Sequence, residues 1–229
     1  MQLHLSSLTI ILIYDVFRSD TLGFTTYPPA YLSPQASGKN LLQGTNFVSA
    51  GSGYYDQTAI NSHVITLTQQ FEYYKEYQKK LAQVAGSSKA ASIIKEALYI
   101  VSFGSSDFVQ NYYLNPLLNQ HNTPDEFSSS LVGFSPTRRI GVTSVPPFGC
   151  LPASISLFGY GHPGCVDRLN SDAQGFNKKI NAAATQLKKQ LPDLVFMEVG
   201  LCSGCAFLNL YIFRNSVSIA YIYSETVFL

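Results

Sequence analysis

Apolar residues recur at helical spacing from Leu67 to Ala85, with Phe71, Tyr74 and Leu81 on the same stripe, and Thr66 and Gln69 stand at the positions of a capping box. The pattern predicts a helix with one buried face that stops at Gly86, after which Ser88 is expected to cap a shorter helix to about Ala97. The period then changes. Residues 98–103, "LYIVSF", form a compact β-favouring run closed by Gly104. "TPDEF" at 123–127 reads as a helix start, with Thr123 as cap, Pro124 in the first turn and Glu126 able to reach back to the cap amide. "RRIGVTSVPP" at 138–147 reads as a strand. From Asp167 to Leu191 a long amphipathic helix carries Leu169, Ala173, Phe176, Ile180, Leu187 and Leu191 on one stripe, and Pro192 ends it before the strand-like run "LVFMEV".

Strand and helix therefore alternate, which predicts an α/β fold with a mostly parallel sheet and ligands held beyond the carboxyl ends of its strands. The turn "GSSD" after "LYIVSF" lies at that edge, and so does "PPFGC" after the next strand. Near the amino end, Leu8 to Tyr14 reads as a buried strand. The competing reading, the apolar region of a signal peptide, lacks a preceding Lys or Arg and a small-residue cleavage site. The apolar stretch from Ala206 to Leu229 is interrupted at Arg214–Ser216, so no transmembrane segment is expected.

Composition narrows the classes further. With 229 residues, 46% of them hydrophobic and 13% charged, the chain can fill a sizeable core. A net charge of +1 creates no field for a polyanion, and nucleic acid is not an expected partner. Tyr and Phe each occur 15 times, enough to line a groove for an apolar ligand as well as a core.

Three ordered stretches resemble the plant GDSL esterase/lipase family, a branch of the SGNH hydrolases: "GTNFVSAGSGYYD" at 44–56, "GSSDF" at 104–108 and "RRIGVTSVPPFGCLP" at 138–152. A fourth, "GCVDRLNSDAQGFNKKIN" at 164–181, is similar to the helix that follows in those proteins. The resemblance implies a flavodoxin-like, three-layer α/β/α sandwich, here incomplete at both ends. It divides the chain into a divergent segment at 1–20, a partial hydrolase domain at 21–200 and a divergent apolar tail at 201–229. It also implies hydrolysis of carboxylic (lipid or acyl) esters without a cofactor or metal, and an extracellular location. In such enzymes a serine hydroxyl, too weak a nucleophile alone, is activated by an imidazole while preorganised donors stabilise the oxyanion. Carried to this chain, those donors fall on Gly51 and on Ser106, where the family has an Asn. Gly53, Gly104 and Asp107 would support the turns, with Asp107 expected to cap the helix that starts there. Tyr54, Tyr55, Phe108, Tyr112 and Tyr113 would line a groove for a small ester or acyl ligand.

Two of the family's blocks have no counterpart in these residues. No Gly-Asp-Ser occurs anywhere; near the expected place stand Asp15, Arg18 and Ser19, without a glycine to permit the sharp turn, and Ser19 reads as an ordinary surface serine. No Asp-x-x-His follows Gly200, and His4, His63, His121 and His162 read as loop or surface residues. The expectation is a weak or inactive hydrolase, with non-catalytic binding of an acyl or cell-wall ester as the alternative. The crossover before "RRIGV" is also short: about nine helical residues from Pro124 span about 14 Å, against about 20 Å for a six-residue strand.

Cys150 and Cys165 resemble a cystine pair of the secreted members, with two free thiols as the alternative. Cys202 and Cys205 form a C-x-x-C after "LVFMEV", which raises a thiol redox function as a competing reading.

Overall fold

The computed structural model describes residues 28–131, 139–199 and 219–223. Expectations for Leu8–Tyr14, Asp15, Arg18, Ser19, His4, Cys202 and Cys205 lie outside the described residues.

The strands are β1 (Gly44–Asn46), β2 (Leu98–Ser102), β3 (Arg139–Thr143), β4 (Val195–Val199) and β5 (Ile219–Tyr223). All pairings are parallel and the spatial order is β1-β5-β2-β3-β4. Parallel neighbours need crossovers, and helices supply them. Between β1 and β2 run α1 (Asp56–Asn61), α2 (Leu67–Ala85) and α3 (Ser87–Glu96). Between β2 and β3 come a π-helical turn (Asp107–Asn111), α4 (Pro116–His121) and α5 (Pro124–Leu131), and between β3 and β4 come α6 (Pro152–Phe158) and α7 (Asp167–Gln190).

The predicted caps are present at two of the three helix starts. The Gln69 amide donates to Thr66 Oγ1 at 3.1 Å at the head of α2. At α5, Glu126 N donates to Thr123 Oγ1 at 3.2 Å and Thr123 N to Glu126 Oε2 at 2.8 Å, a reciprocal capping box. Ser88 is not the cap of α3. Gly86 holds that position with φ of 80°, a left-handed conformation that ends α2 and starts α3 in one residue.

The helices pack in two groups, giving the expected α/β/α sandwich. Tyr77 and Leu81 of α2 and Ala90 of α3 form one core with Leu41, Tyr99 and Phe103. The α7 stripe, Leu169, Ala173, Phe176 and Ile180, forms the other with Phe127 and Leu131 of α5 and Ile140 and Val142 of β3. Leu187 and Leu191, at the end of that stripe, are only partly buried against it.

One strand comes from an unexpected place. β5 lies between β1 and β2, with Ala220 opposite both Thr45 and Tyr99. In the flavodoxin-like order this slot belongs to the first strand of the chain; here the segment 219–223 fills it.

Candidate functional site

The carboxyl ends of β2 and β3 lead into the loops singled out from the sequence. After Ser102 the chain passes through Phe103 and Gly104 and enters the π-helical turn at Asp107. Gly104 has φ of 121°, and a Cβ there would come within 2.5 Å of Val145 and 2.7 Å of Phe176, so only glycine lets the turn lie against them. Beside it, Thr143 donates its hydroxyl to Ser102 Oγ, tying the ends of β3 and β2 together.

The second loop, which follows β1, is held from two sides. Towards α2, Gln70 Nε2 donates to Ser52 Oγ at 3.0 Å and the Ile65 amide to Ser49 Oγ at 2.9 Å. Gly51, buried and with φ of 82°, allows the reversal between these anchors. On the other side stands Asp107. Its buried carboxylate accepts the Tyr54 amide at 2.8 Å, the Tyr55 amide at 3.2 Å and the Thr58 hydroxyl at 2.7 Å. Asn111 Nδ2, one turn on, donates to Thr58 Oγ1 at 3.1 Å.

The expected role of Asp107 is thereby corrected. It does not cap its own helix; its carboxylate serves backbone and side-chain donors some fifty positions earlier in the chain, and Ser106 at the cap position makes no capping bond. Burial pushes its pKa up to about 6, although the bonds from Thr58, Tyr54 and Tyr55 favour the charged form. Ser106 itself is fully buried, and its Oγ has no hydrogen-bond partner among the described residues. An orphan hydroxyl of this kind costs free energy unless something accepts from it.

Loop for loop, this is the ordered set of motifs seen in the sequence, and residues 9–219 match the profile described as GDSL-like Lipase/Acylhydrolase. The chain belongs to that family. Among GDSL proteins similar to it, the GDSL esterase/lipase APG of Arabidopsis thaliana is 59% identical over 186 residues, which are 77% of this chain and 53% of the relative. A second Arabidopsis thaliana GDSL esterase/lipase is 50% identical over 191 residues, 78% of this chain and 53% of its own. A more distant one is 36% identical over 192 residues, 80% and 52% respectively. The chain thus spans about half the length of the curated relatives it matches. No solved structure matches it.

The aromatic residues expected to line a groove of this GDSL chain divide into two sets. Phe108 and Tyr112 are core residues, 0% and 3% exposed. Phe108 packs against Phe127, Phe148 and Phe176 with ring centroids 5.4 to 5.7 Å apart, and the Tyr112 hydroxyl donates to Asn122 O at 2.7 Å. The helix after "GSSD" turns both rings inward. Tyr54 is half-buried between Phe103 and Phe176, its hydroxyl covered and without a partner among the described residues. Burial, with a smaller contribution from Asp107, raises its pKa. Tyr113 is half-buried and donates to the Asp172 carboxylate, while Tyr55 is 43% exposed.

His63, His121 and His162 are all exposed. Cys150 and Cys165 are joined as a disulfide beside the 3-10 turn Phe148–Cys150, where Asn170 of α7 accepts the Gly149 amide at 2.8 Å. Among the described residues no group of His, Cys, Asp and Glu could hold a metal, and no helix is long and apolar enough to cross a membrane. Thr58, Gln70 and Asn111 were invisible as site residues in the sequence. Each is a polar residue at a helical position whose partner lies far away along the chain, so no local pattern marks it.

Proposed function

We propose that these residues form the oxyanion side of a carboxylic-ester site, with Gly51 and Ser106 directed at the acyl group, and that the chain as it stands turns esters over poorly or not at all. The single observation behind this reading is the fully buried Ser106 hydroxyl, unpartnered among the described residues at the carboxyl edge of a parallel sheet and joined through the next residue to the Gly51 loop. A hydroxyl donates one hydrogen bond, as the amide usual at this position in GDSL proteins would, but with a shorter reach. The 229 residues contain no Gly-Asp-Ser and no histidine after His162, so the serine–imidazole pair that ester cleavage requires is not supplied by the family's own blocks. By analogy with serine proteases, removing nucleophile or base costs about 10⁶ in turnover. The disulfide accords with an extracellular location.

Purified protein is assayed with p-nitrophenyl butyrate before and after an organophosphate. Turnover at or near the no-protein rate, and no covalent labelling, is the expected result. Rapid turnover abolished by the organophosphate would sink the reading of a weak or inactive site.

A further inference from the structure

Side-chain hydrogen bonds from the π-helical turn to the Gly51 loop and α1 converge on one group. Asp107 takes the Tyr54 and Tyr55 amides and the Thr58 hydroxyl, Asn111 reaches the same hydroxyl, and the weaker contacts, Asn61 to Asn111 and Ser62 to Gln110, are both 3.5 Å. A Cβ at Gly53 would fall 2.0 Å from Asp107 Oδ1, so the backbone closes directly over the carboxylate. Ser106 is the neighbouring residue in sequence and Gly51 lies two residues before Gly53. We infer that Asp107 is a positioning residue, which holds the Gly51–Tyr55 loop in register with Ser106 and so sets the two acyl-facing donors of the proposed site against each other.

The meaning of that register for an acyl group rests on the function proposed above, whereas the coupling itself does not. Asp107 is fully buried and has no cationic partner among the described residues. The groups facing it from the loop and from α1 are the Tyr54 phenol and the uncharged Thr58; Asp56, also on α1, accepts the Thr68 amide instead, and His63 beyond α1 is exposed. On its own turn Asn111 and Gln110, both neutral, reach Thr58 and Ser62. Opening the loop returns the carboxylate to water, where its pKa falls from about 6 towards 3.8. The closed loop therefore binds a proton more tightly than the open one, and closure weakens as pH rises from about 4 to about 6 and is level above that. A carboxylate not coupled to the loop would leave protection at Tyr54 and Tyr55 independent of this titration.

The test is amide hydrogen exchange on the whole protein between pH 4 and pH 8, corrected for intrinsic rates. Protection at Tyr54 and Tyr55 is expected to fall by roughly 10- to 100-fold between pH 4 and pH 6, while Ile100 and Val101 in β2 hold theirs. Asp107→Asn should flatten the profile. Thr58→Val, which keeps the side-chain shape and removes a bond that favours the charged form, should move the fall to higher pH. A wild-type profile that is flat, or one that Thr58→Val leaves in place, overturns the positioning role. Ester or acyl probes that fail to bind while the profile appears as described would count against the acyl site alone.

Discussion

A Cβ at position 53 would lie 2.0 Å from Asp107 Oδ1 and 2.6 Å from Oδ2, so Gly53 and Asp107 fit together only because one of them has no side chain. Gly53→Ala must push the loop off the carboxylate and strand a buried charge whose donors have moved. The expected cost is on the order of 2–4 kcal/mol, read as a drop in the denaturant midpoint. Gly175→Ala on α7, where nothing lies within 4 Å of the added carbon, is the matched control and is expected to leave stability equal or higher. Equal effects at the two positions would contradict the close approach at Gly53.

Phe108 and Tyr55 were expected in the same groove, and the structure separates them. Phe108→Ala should cost about 3–5 kcal/mol, as for a fully buried aromatic ring. Tyr55→Ala should stay within about 1 kcal/mol, since that residue is 43% exposed and its ring stands edge-on to Phe127 at 6.5 Å. Paired urea titrations decide the matter, and comparable losses would return Phe108 to the surface.

The Cys150–Cys165 bond closes a loop with a sequence separation of 15. Reduction, or the double change Cys150→Ser with Cys165→Ser, is expected to lower stability by about 3 kcal/mol through the unfolded chain. Thermal melts with and without reductant check it. A melt indifferent to reductant, in protein whose thiols have been shown to be oxidised beforehand, would remove the bond from the stabilising interactions.

Asp107 also makes global stability depend on pH. Its folded pKa, about 6, lies above the unfolded value of 3.8. The folded chain therefore binds more protons between those values, and the contribution of this residue to stability is greatest below about pH 4 and declines as pH rises towards about 6. The span is on the order of 3 kcal/mol. Asp172, half-buried with its pKa raised chiefly by desolvation, acts in the same direction, whereas Glu126, lowered by its bonds with Thr123, acts in the opposite one. The difference between wild type and Asp107→Asn at each pH isolates the Asp107 share, and a difference that does not change with pH would contradict it.

Local patterns were readable wherever both partners lie within a few residues. The caps Thr66 to Gln69 and Thr123 to Glu126 are reciprocal or single bonds across one helical turn, and the α7 stripe follows from its 3.6-residue period. Serine is a favourable cap in general, so residue type points to Ser88, while the cap at Gly86 depends on a left-handed φ that the sequence permits without requiring. In the candidate site, the glycines at 51, 53 and 104 were legible as turn residues. The contacts that make 53 and 104 obligatory, Asp107 against one and Val145 with Phe176 against the other, were not.

By itself the sequence determined the alternation of strands and helices, the parallel sheet that alternation requires, the order of the GDSL motifs and the absence of Gly-Asp-Ser from these residues. Each depends on residue type and short spacing alone. Only the tertiary structure decided that Asp107 serves Tyr54, Tyr55 and Thr58 rather than its own helix, that Phe108 and Tyr112 face the core, and that Ile219–Tyr223 fills the slot between β1 and β2. The reason is common to all three. A buried carboxylate takes whichever donors the fold brings within about 3 Å, and a strand gains its hydrogen bonds from neighbours that adjacent residues do not specify.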